Sequence, residues 1–381
     1  MALTSQELID LVRSVFPRLL GDRGLAILVD VPRDAGRDNA AWATRRGMAF
    51  DWFVALRDGA AELDLEHVHL VAYPDVGSNN ADLPVEAVLL ETSPPATADG
   101  LAAAGRTVRF DEVFRENQVL LAPTEFSTTA PLKVAAPRAG FRAATMPGFA
   151  PSMIPALRLD YGEVARRVDL MKALLDRAEQ AEIRFAADDG RDFTLLLDLR
   201  HRSGHASSGR FPDRGTAGNL PSGEAYIVPY EGERGVPSAT AGRLPVQLGA
   251  GIVVFTVRQN RAVEVEGTGP EADAEREHLR REPAYGNLAE LGFGVLGDFG
   301  LPPVGEILLD EKLGLHVAFG RSDHFGGNVG PAAFTSPAKV IHLDRIYIPA
   351  TQPRIRLPSV TFAYPDGSRE RIMEDGRYLV F

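Results

Sequence analysis

Up to about residue 155 the chain alternates short apolar runs with helical stretches, and beyond about residue 183 it turns to strand–turn–strand patterns. The runs GLAILVDVP (24–32), HVHLVAYP (67–74), VEAVLLE (85–91) and QVLLAP (118–123) have the length and apolar content of buried strands. Within the second run, His67 and His69 alternate onto one face. Residues 38–60 set Trp42, Ala49, Trp52, Phe53 and Leu56 along one side of a helix, and another helix is expected between 91 and 118. This rhythm predicts an α/β layer built on a largely parallel sheet. No GxGxxG follows the first run, so a dinucleotide fingerprint is missing.

A Pro- and Gly-rich passage, 136–157, interrupts the pattern; its FRAATMPGF segment is expected to line a cleft or mark a structural crossing. Residues 161–182 then read as a helix with Val164, Val168, Met171, Leu174 and Leu175 inward. IRFAADDGRDFTLLLDL carries a DG turn between two strand-like runs, and QLGAGIVVFTVRQNRAVEVEG repeats that design. The expected organisation is α/β plus α+β. Residues 1–160 form an N-terminal α/β domain with a parallel-type sheet, and 161–381 a β-rich C-terminal domain.

The chain has no cysteine, which excludes disulfides, thiolate metal sites and cysteine nucleophiles. Its formal charge of −11 argues against nucleic acid or an anionic membrane surface as a partner. No apolar run approaches the ~18 residues of a membrane span. The opening MALTSQELIDLVRSVFPRLLG has the spacing of an amphipathic helix rather than of a signal peptide, so a soluble, cytoplasmic protein is expected.

Four segments of the second half set metal-capable side chains among apolar residues or glycines. They are GNLPSGEAYIVP (218–229) with Glu224, GNLAELGFG (286–294) with Glu290, LLDEKLGLHVAFG (308–320) with His316, and AKVIHLDRIYIP (338–349) with His342 and Asp344. Positions i and i+2 of a strand share a face, which puts the last two side by side. A charge buried there must be paired or hold a metal. Taken singly, each has a simpler reading: a hydrogen-bonded pair for His342 and Asp344, a turn cap for Glu224, a satisfied core imidazole for His316. Their concentration in half of a cysteine-free chain is what points to metal. RHRSGHASSGR (200–210), with His201 and His205, reads as a solvated loop, and DAEREHLRRE (273–282), with His278, as a solvated helix face.

The order LPSGE, AELG, LDEKxGxHxAFG, a GG loop and IHLD resembles the M29 family of metalloaminopeptidases, the aminopeptidase T/S type. The likeness extends to FRAATMPGF (141–149) and PDGSRERIMEDGRYL (365–379) and is densest over 136–381. It implies a homodimer whose C-terminal domain holds two divalent metal ions (Zn, Co or Mn) on two Glu, two His, one Asp and one Tyr. Carried over by motif, Glu224, Glu290, His316, His342 and Asp344 match five of these. The tyrosine is expected seven residues after the first histidine, where this chain has Asp323 followed by His324. Asp323 is taken as the sixth ligand, with His324 the alternative.

Such a metal pair is suited to hydrolysing amides, and the resemblance implies removal of N-terminal residues from peptides. Glu224 would be a ligand or the proton shuttle to the leaving amine. A second reading comes from relatives of this scaffold, the 2,5-dihydroxypyridine dioxygenases, where one Fe(II) is held by His and carboxylate. His316, His342 and Asp344 would supply that set for a small-molecule substrate. Those relatives place a histidine near the position of Glu290, so the glutamate favours the peptidase. A third reading is a peptide-binding relative without catalysis.

Overall fold

The structure is a computed structural model that describes residues 2–381. Contacts group the chain into two compact units. One holds the residues up to Ala165 together with Ser207–Ser222 and Val304–Leu309; the other holds Arg166–Ala206, Gly223–Pro303 and Asp310–Phe381. The division falls inside the helix Tyr161–Arg177.

In the first unit, α1 (Ser5–Val15) starts at a capping box. The Glu7 amide donates to Thr4 Oγ1 (3.2 Å) and the Thr4 amide to Glu7 Oε2 (2.8 Å), which satisfies two otherwise orphaned N–H groups. The strands are β1 (Gly24–Val31), β2 (His67–Pro74), β3 (Glu86–Leu90), β4 (Gly105–Arg109), β5 (Val119–Ala122) and β6 (Arg142–Thr145). They lie in the order β6-β5-β1-β2-β3-β4, with Thr216–Asn219 added beyond β6. Pairing is parallel from Thr216–Asn219 through to β2 and antiparallel at β3 and β4. Every residue of β1 is buried, as a central parallel strand covered on both faces requires. The helix α2 (Ala40–Asp58) packs against β1 and β2 and buries Trp42, Ala49, Trp52, Phe53 and Leu56.

Two expectations are corrected here. A strand, β4, intervenes before the helix Phe110–Glu116; only Val108 of its residues is buried, so no apolar run announced it. FRAATMPGF contributes β6, an inner strand. Arg142 on it is fully buried because its guanidinium meets Asp22 Oδ2 (2.6 Å) and the carbonyl oxygens of Pro17 and Phe211. At the carboxyl end of β1, where parallel sheets commonly bind phosphates, the Asp30 carboxylate takes the amides of Glu125 (2.8 Å) and Phe126 (3.0 Å). Burial pushes Asp30 up to about 6 against those hydrogen bonds.

The second unit is β-rich. Its larger sheet has eight strands, among them the hairpin Gln180–Ala187/Asp192–Asp198 and the meander Ala241–Leu248, Gly251–Arg258, Arg261–Glu266. Its smaller sheet aligns β7 (Glu224–Ile227), β8 (Leu288–Gly294), β9 (Leu315–Gly320) and β10 (His342–Ile346), all antiparallel. Phe293 of β8 and Phe319 of β9 meet Phe362 and Phe255 of the larger sheet, with ring centroids 5.6 and 4.9 Å apart. One face of the smaller sheet is thus fixed in a core, and its other face is left for polar side chains. No helix among the described residues is long and apolar enough to cross a membrane.

Candidate metal centre

Alternation along four short strands builds the site. Leu291, Phe293, Leu315, Val317 and Phe319 turn to the core, which sends Glu290 and His316 to the opposite face. The register sets Glu224 beside Gly294, His316 beside Gly292, Asp344 and Glu290 on either side of Ala318, and His342 beside Gly320. The small residues between the functional ones are a steric requirement. A methyl group on Gly292 would stand 1.9 Å from His316 Nε2, because that imidazole lies across the glycine.

Glu290 is the centre of the arrangement. Its Oε1 faces His316 Nε2 at 3.3 Å and its Oε2 faces His342 Nε2 at 3.1 Å. Glu224 Oε2 stands 3.6 Å from His316 Nε2, and Asp344 Oδ1 stands 3.6 Å from His342 Nε2. Two three-residue groups result, Glu224–Glu290–His316 and Glu290–His342–Asp344, each with ligand-type atoms within 4.8 Å of one another and both sharing Glu290. The first group is buried and the second is partly open. His342 Nδ1 donates to the Arg321 carbonyl oxygen (2.8 Å), which orients the ring and leaves Nε2 toward Glu290.

A buried lysine completes the cluster. Lys312 is 2% exposed and its Nζ donates to Glu224 Oε1 (2.5 Å) and to the Glu311 carboxylate. Glu224 Oε2 is left buried without a hydrogen-bond partner among the described residues. An orphaned carboxylate oxygen aimed at an imidazole nitrogen is the position a cation fits. The donor set of two imidazoles and three carboxylates suits Zn, Co, Mn or Fe in the divalent state.

The electrostatics of the metal-free cluster agree. Burial alone would raise the Glu290 carboxyl, but the hydrogen bonds from His316 and His342 outweigh it and hold the group far below its usual range. Burial disfavours the His316 imidazolium, yet Glu290, Glu224 and Asp344 push its pKa up to about 9. His342 is raised in the same way by Asp344 and Glu290. Burial, reinforced by the charges of Glu224 and Asp344, pushes Glu311 up to about 7 against the pull of Lys312. In the metal-free protein the imidazoles and Lys312 act as the cations that the carboxylates need.

Of the six residues expected as ligands, Glu224, Glu290, His316, His342 and Asp344 come together. Asp323 does not join either group; its Oδ1 accepts from Arg321 Nε at 2.5 Å. His324 stands edge-on to His342, with ring centroids 5.2 Å apart, and it too lies outside both groups. Burial, with the charges of His342 and Arg321, pushes His324 down to about 4. The loop that carries both residues is tied down by Glu231, which accepts from Ser322 Oγ (2.6 Å) and the Asn328 amide (2.5 Å).

The segment expected as a solvated loop, 200–210, is corrected at His205. This residue begins a short strand, stacks on Tyr226 at 5.1 Å, and its Nε2 meets the Phe325 carbonyl oxygen at 3.0 Å. Tyr226, Phe325 and His324 continue that aromatic wall to His342. Lys312, Glu311 and Tyr226 were not singled out by the sequence. Tyr226 had a usable signal, since it lies two positions after Glu224 and shares its face.

No protein-family model matches the chain, and no curated protein does. Solved structures match it over nearly its whole length. The 2,5-dihydroxypyridine dioxygenase from Pseudomonas putida KT2440 is 15% identical with a TM-score of 0.60, covering 99% of this chain and 97% of that one. Wild-type AmpT from Thermus thermophilus, an M29 aminopeptidase, is 16% identical with a TM-score of 0.52, covering 98% and 99%. The chain has the fold of these proteins.

Proposed function

We propose that this chain is a metal-dependent aminopeptidase that removes N-terminal residues from peptides at a dinuclear divalent-metal site. The observation that carries the reading is Glu290, whose two oxygens face two different histidines and so join two ligand groups through one carboxylate. Bound there, a metal pair supplies Lewis acidity toward a substrate carbonyl and a nucleophile derived from water.

The chain's own residues supply the rest. Glu290 fixes the spacing of the two groups, and Glu224 offers Oε2 while Lys312 holds its Oε1 and therefore its rotamer. His342 presents Nε2 because its Nδ1–H donates to the Arg321 carbonyl oxygen. The acidic cluster favours a substrate bearing an ammonium group, which suits a peptide N-terminus. The reading extends to Zn, Co or Mn as the metal, to a homodimer, and to the cytoplasm as its place of action.

A second reading, a mononuclear Fe(II) ring-cleaving dioxygenase, is supported by the likeness in fold to the 2,5-dihydroxypyridine dioxygenase. It asks His316, His342 and Asp344 to serve one ion, whereas the ligand groups divide those residues around Glu290. The test is release of amino acids from aminoacyl-p-nitroanilides by metal-stripped protein reloaded with Zn2+, Co2+ or Mn2+. Turnover that Glu290→Ala abolishes supports the peptidase. Fe2+-dependent oxygen uptake with a dihydroxylated ring, and no peptidase turnover, supports the dioxygenase.

A further inference from the structure

A second set of convergent donors lies in the first unit, at the amino end of the parallel sheet. His67 and His69 occupy positions i and i+2 of β2, and their half-buried rings lie against each other with centroids 4.4 Å apart. Each turns one nitrogen inward. His67 Nε2 and His69 Nδ1 are buried and have no hydrogen-bond partner among the described residues, and the same holds for Oδ1 of the fully buried Asn117. Gly24 of β1, paired with His67, shows how closely these atoms converge. A methyl group there would stand 2.2 Å from His67 Nε2, 2.6 Å from the Glu116 carbonyl oxygen and 2.9 Å from Asn117 Oδ1.

Buried polar atoms are nearly always partnered, so His67 Nε2 and Asn117 Oδ1 converging beside Gly24, with the His69 ring stacked on His67 and its side chain reaching Asn117, call for a ligand. With each imidazole neutral and its proton on the outward nitrogen, every atom turned toward that point is a lone-pair acceptor, which suits a cation and not an anion. Asn117 Nδ2 is already committed to the Val113 carbonyl oxygen (2.8 Å), which fixes the amide with its oxygen as the free atom. The charged side chains acting on His69 are His67 and Arg106, which oppose a second positive charge, and Glu116, which favours one.

We propose that His67 Nε2, His69 Nδ1, Asn117 Oδ1 and the Glu116 carbonyl oxygen form a second metal site, for a divalent transition ion that prefers imidazole, such as Cu2+, Ni2+ or Zn2+. Two nitrogens and two neutral oxygens without a bound carboxylate disfavour Mn2+, Mg2+ and Ca2+, which take oxygen-rich charged sets. The site is independent of the carboxylate cluster in chain position and in chemistry.

The test uses the full chain carrying Glu290→Ala and His342→Ala, which disable the carboxylate cluster, stripped of metal and titrated with Cu2+. Calorimetry should find one Cu2+ per chain, and its EPR spectrum should carry hyperfine coupling to two imidazole nitrogens. His67→Gln and His69→Gln, each added to that background, should weaken binding by at least about tenfold and reduce the nitrogen count to one. The absence of a stoichiometric Cu2+ site would overturn the proposal, as would a spectrum without two imidazole nitrogens. Binding unchanged by both glutamine variants would overturn it equally. If a glutamine variant fails to fold by circular dichroism, the nitrogen count of the parent protein decides alone.

Discussion

Gly292→Ala removes no ligand, yet it should disable half of the metal centre. The added methyl would stand 1.9 Å from His316 Nε2 and 2.2 Å from Cε1. Real carbon contacts do not close below 3.0 Å, so the imidazole must retreat by about 1.1 Å along that line. Metal–ligand distances hold to within about 0.2 Å, so a displacement of that size takes Nε2 out of coordination. The backbone has little room to yield instead, because β8 is pinned between β7 and β9 with Phe293 in the core. We expect a loss of at least about 100-fold in affinity at the Glu224–Glu290–His316 group. A fall of similar size in kcat/KM, equivalent to ~2.7 kcal/mol, should accompany it. The fold should survive, since the methyl points to the site face. Metal content after dialysis, with thermal melting as the folding check, reads this directly. Gly47→Ala, on an exposed turn of α2 with nothing within 4 Å of the new methyl, is the control. It should bind metal normally and gain about 0.5–1 kcal/mol of stability. Full metal content and wild-type turnover in Gly292→Ala would refute the reasoning.

Three other predictions rest on the same cluster. Lys312→Met leaves Glu224 and Glu311 without their buried cation and should destabilise the metal-free protein by about 3–5 kcal/mol. The loss should be smaller once metal is bound, so the melting-temperature gap between the two forms should widen; an unchanged gap counts against the role given to Lys312. In the metal-free protein His316 is raised to about 9 from 6.5, so the stability it contributes is complete below about 6.5 and is lost as pH rises through about 9. Metal needs the neutral imidazole, so metal affinity should rise across that window by up to about one log unit per pH unit for each imidazole. A flat calorimetric profile between those pH values would contradict the raised pKa. Asp323→Ala should leave metal stoichiometry intact and affinity within about threefold, because that carboxylate is engaged by Arg321; loss of an ion in elemental analysis would restore it as a ligand.

Much of the centre could be read before any coordinates. Glu224, Glu290, His316, His342 and Asp344 stand out because a strand that buries one face has few reasons to place a charge among Leu, Phe and Val. The period of two then assigns them all to the same side. What escaped was whatever depends on register between strands. Gly292 and Gly320 look like loosely placed glycines in sequence, and only cross-strand pairing reveals that one carries an imidazole over it and the other sits beside His342. Lys312 lies in a short turn of helix before β9, where a charged residue is ordinary; its burial against Glu224 is a tertiary fact. The family resemblance put a ligand at Asp323, but a loop has no fixed side-chain period, and Arg321 two positions earlier captured the carboxylate. In the first unit β4 was missed for a related reason. An edge strand with one buried residue has no apolar pattern to read.

The central claim is that one carboxylate, Glu290, joins two metal positions. EPR spectroscopy of metal-stripped protein titrated with Mn2+ tests it most directly, because Mn2+ prefers the carboxylate-rich cluster and reports its own neighbours. The account predicts two bound Mn2+ per chain with the spectrum of a spin-coupled pair, and loss of that coupling in Glu290→Ala. A single uncoupled ion at saturation, or a coupled pair that persists in Glu290→Ala, would contradict it.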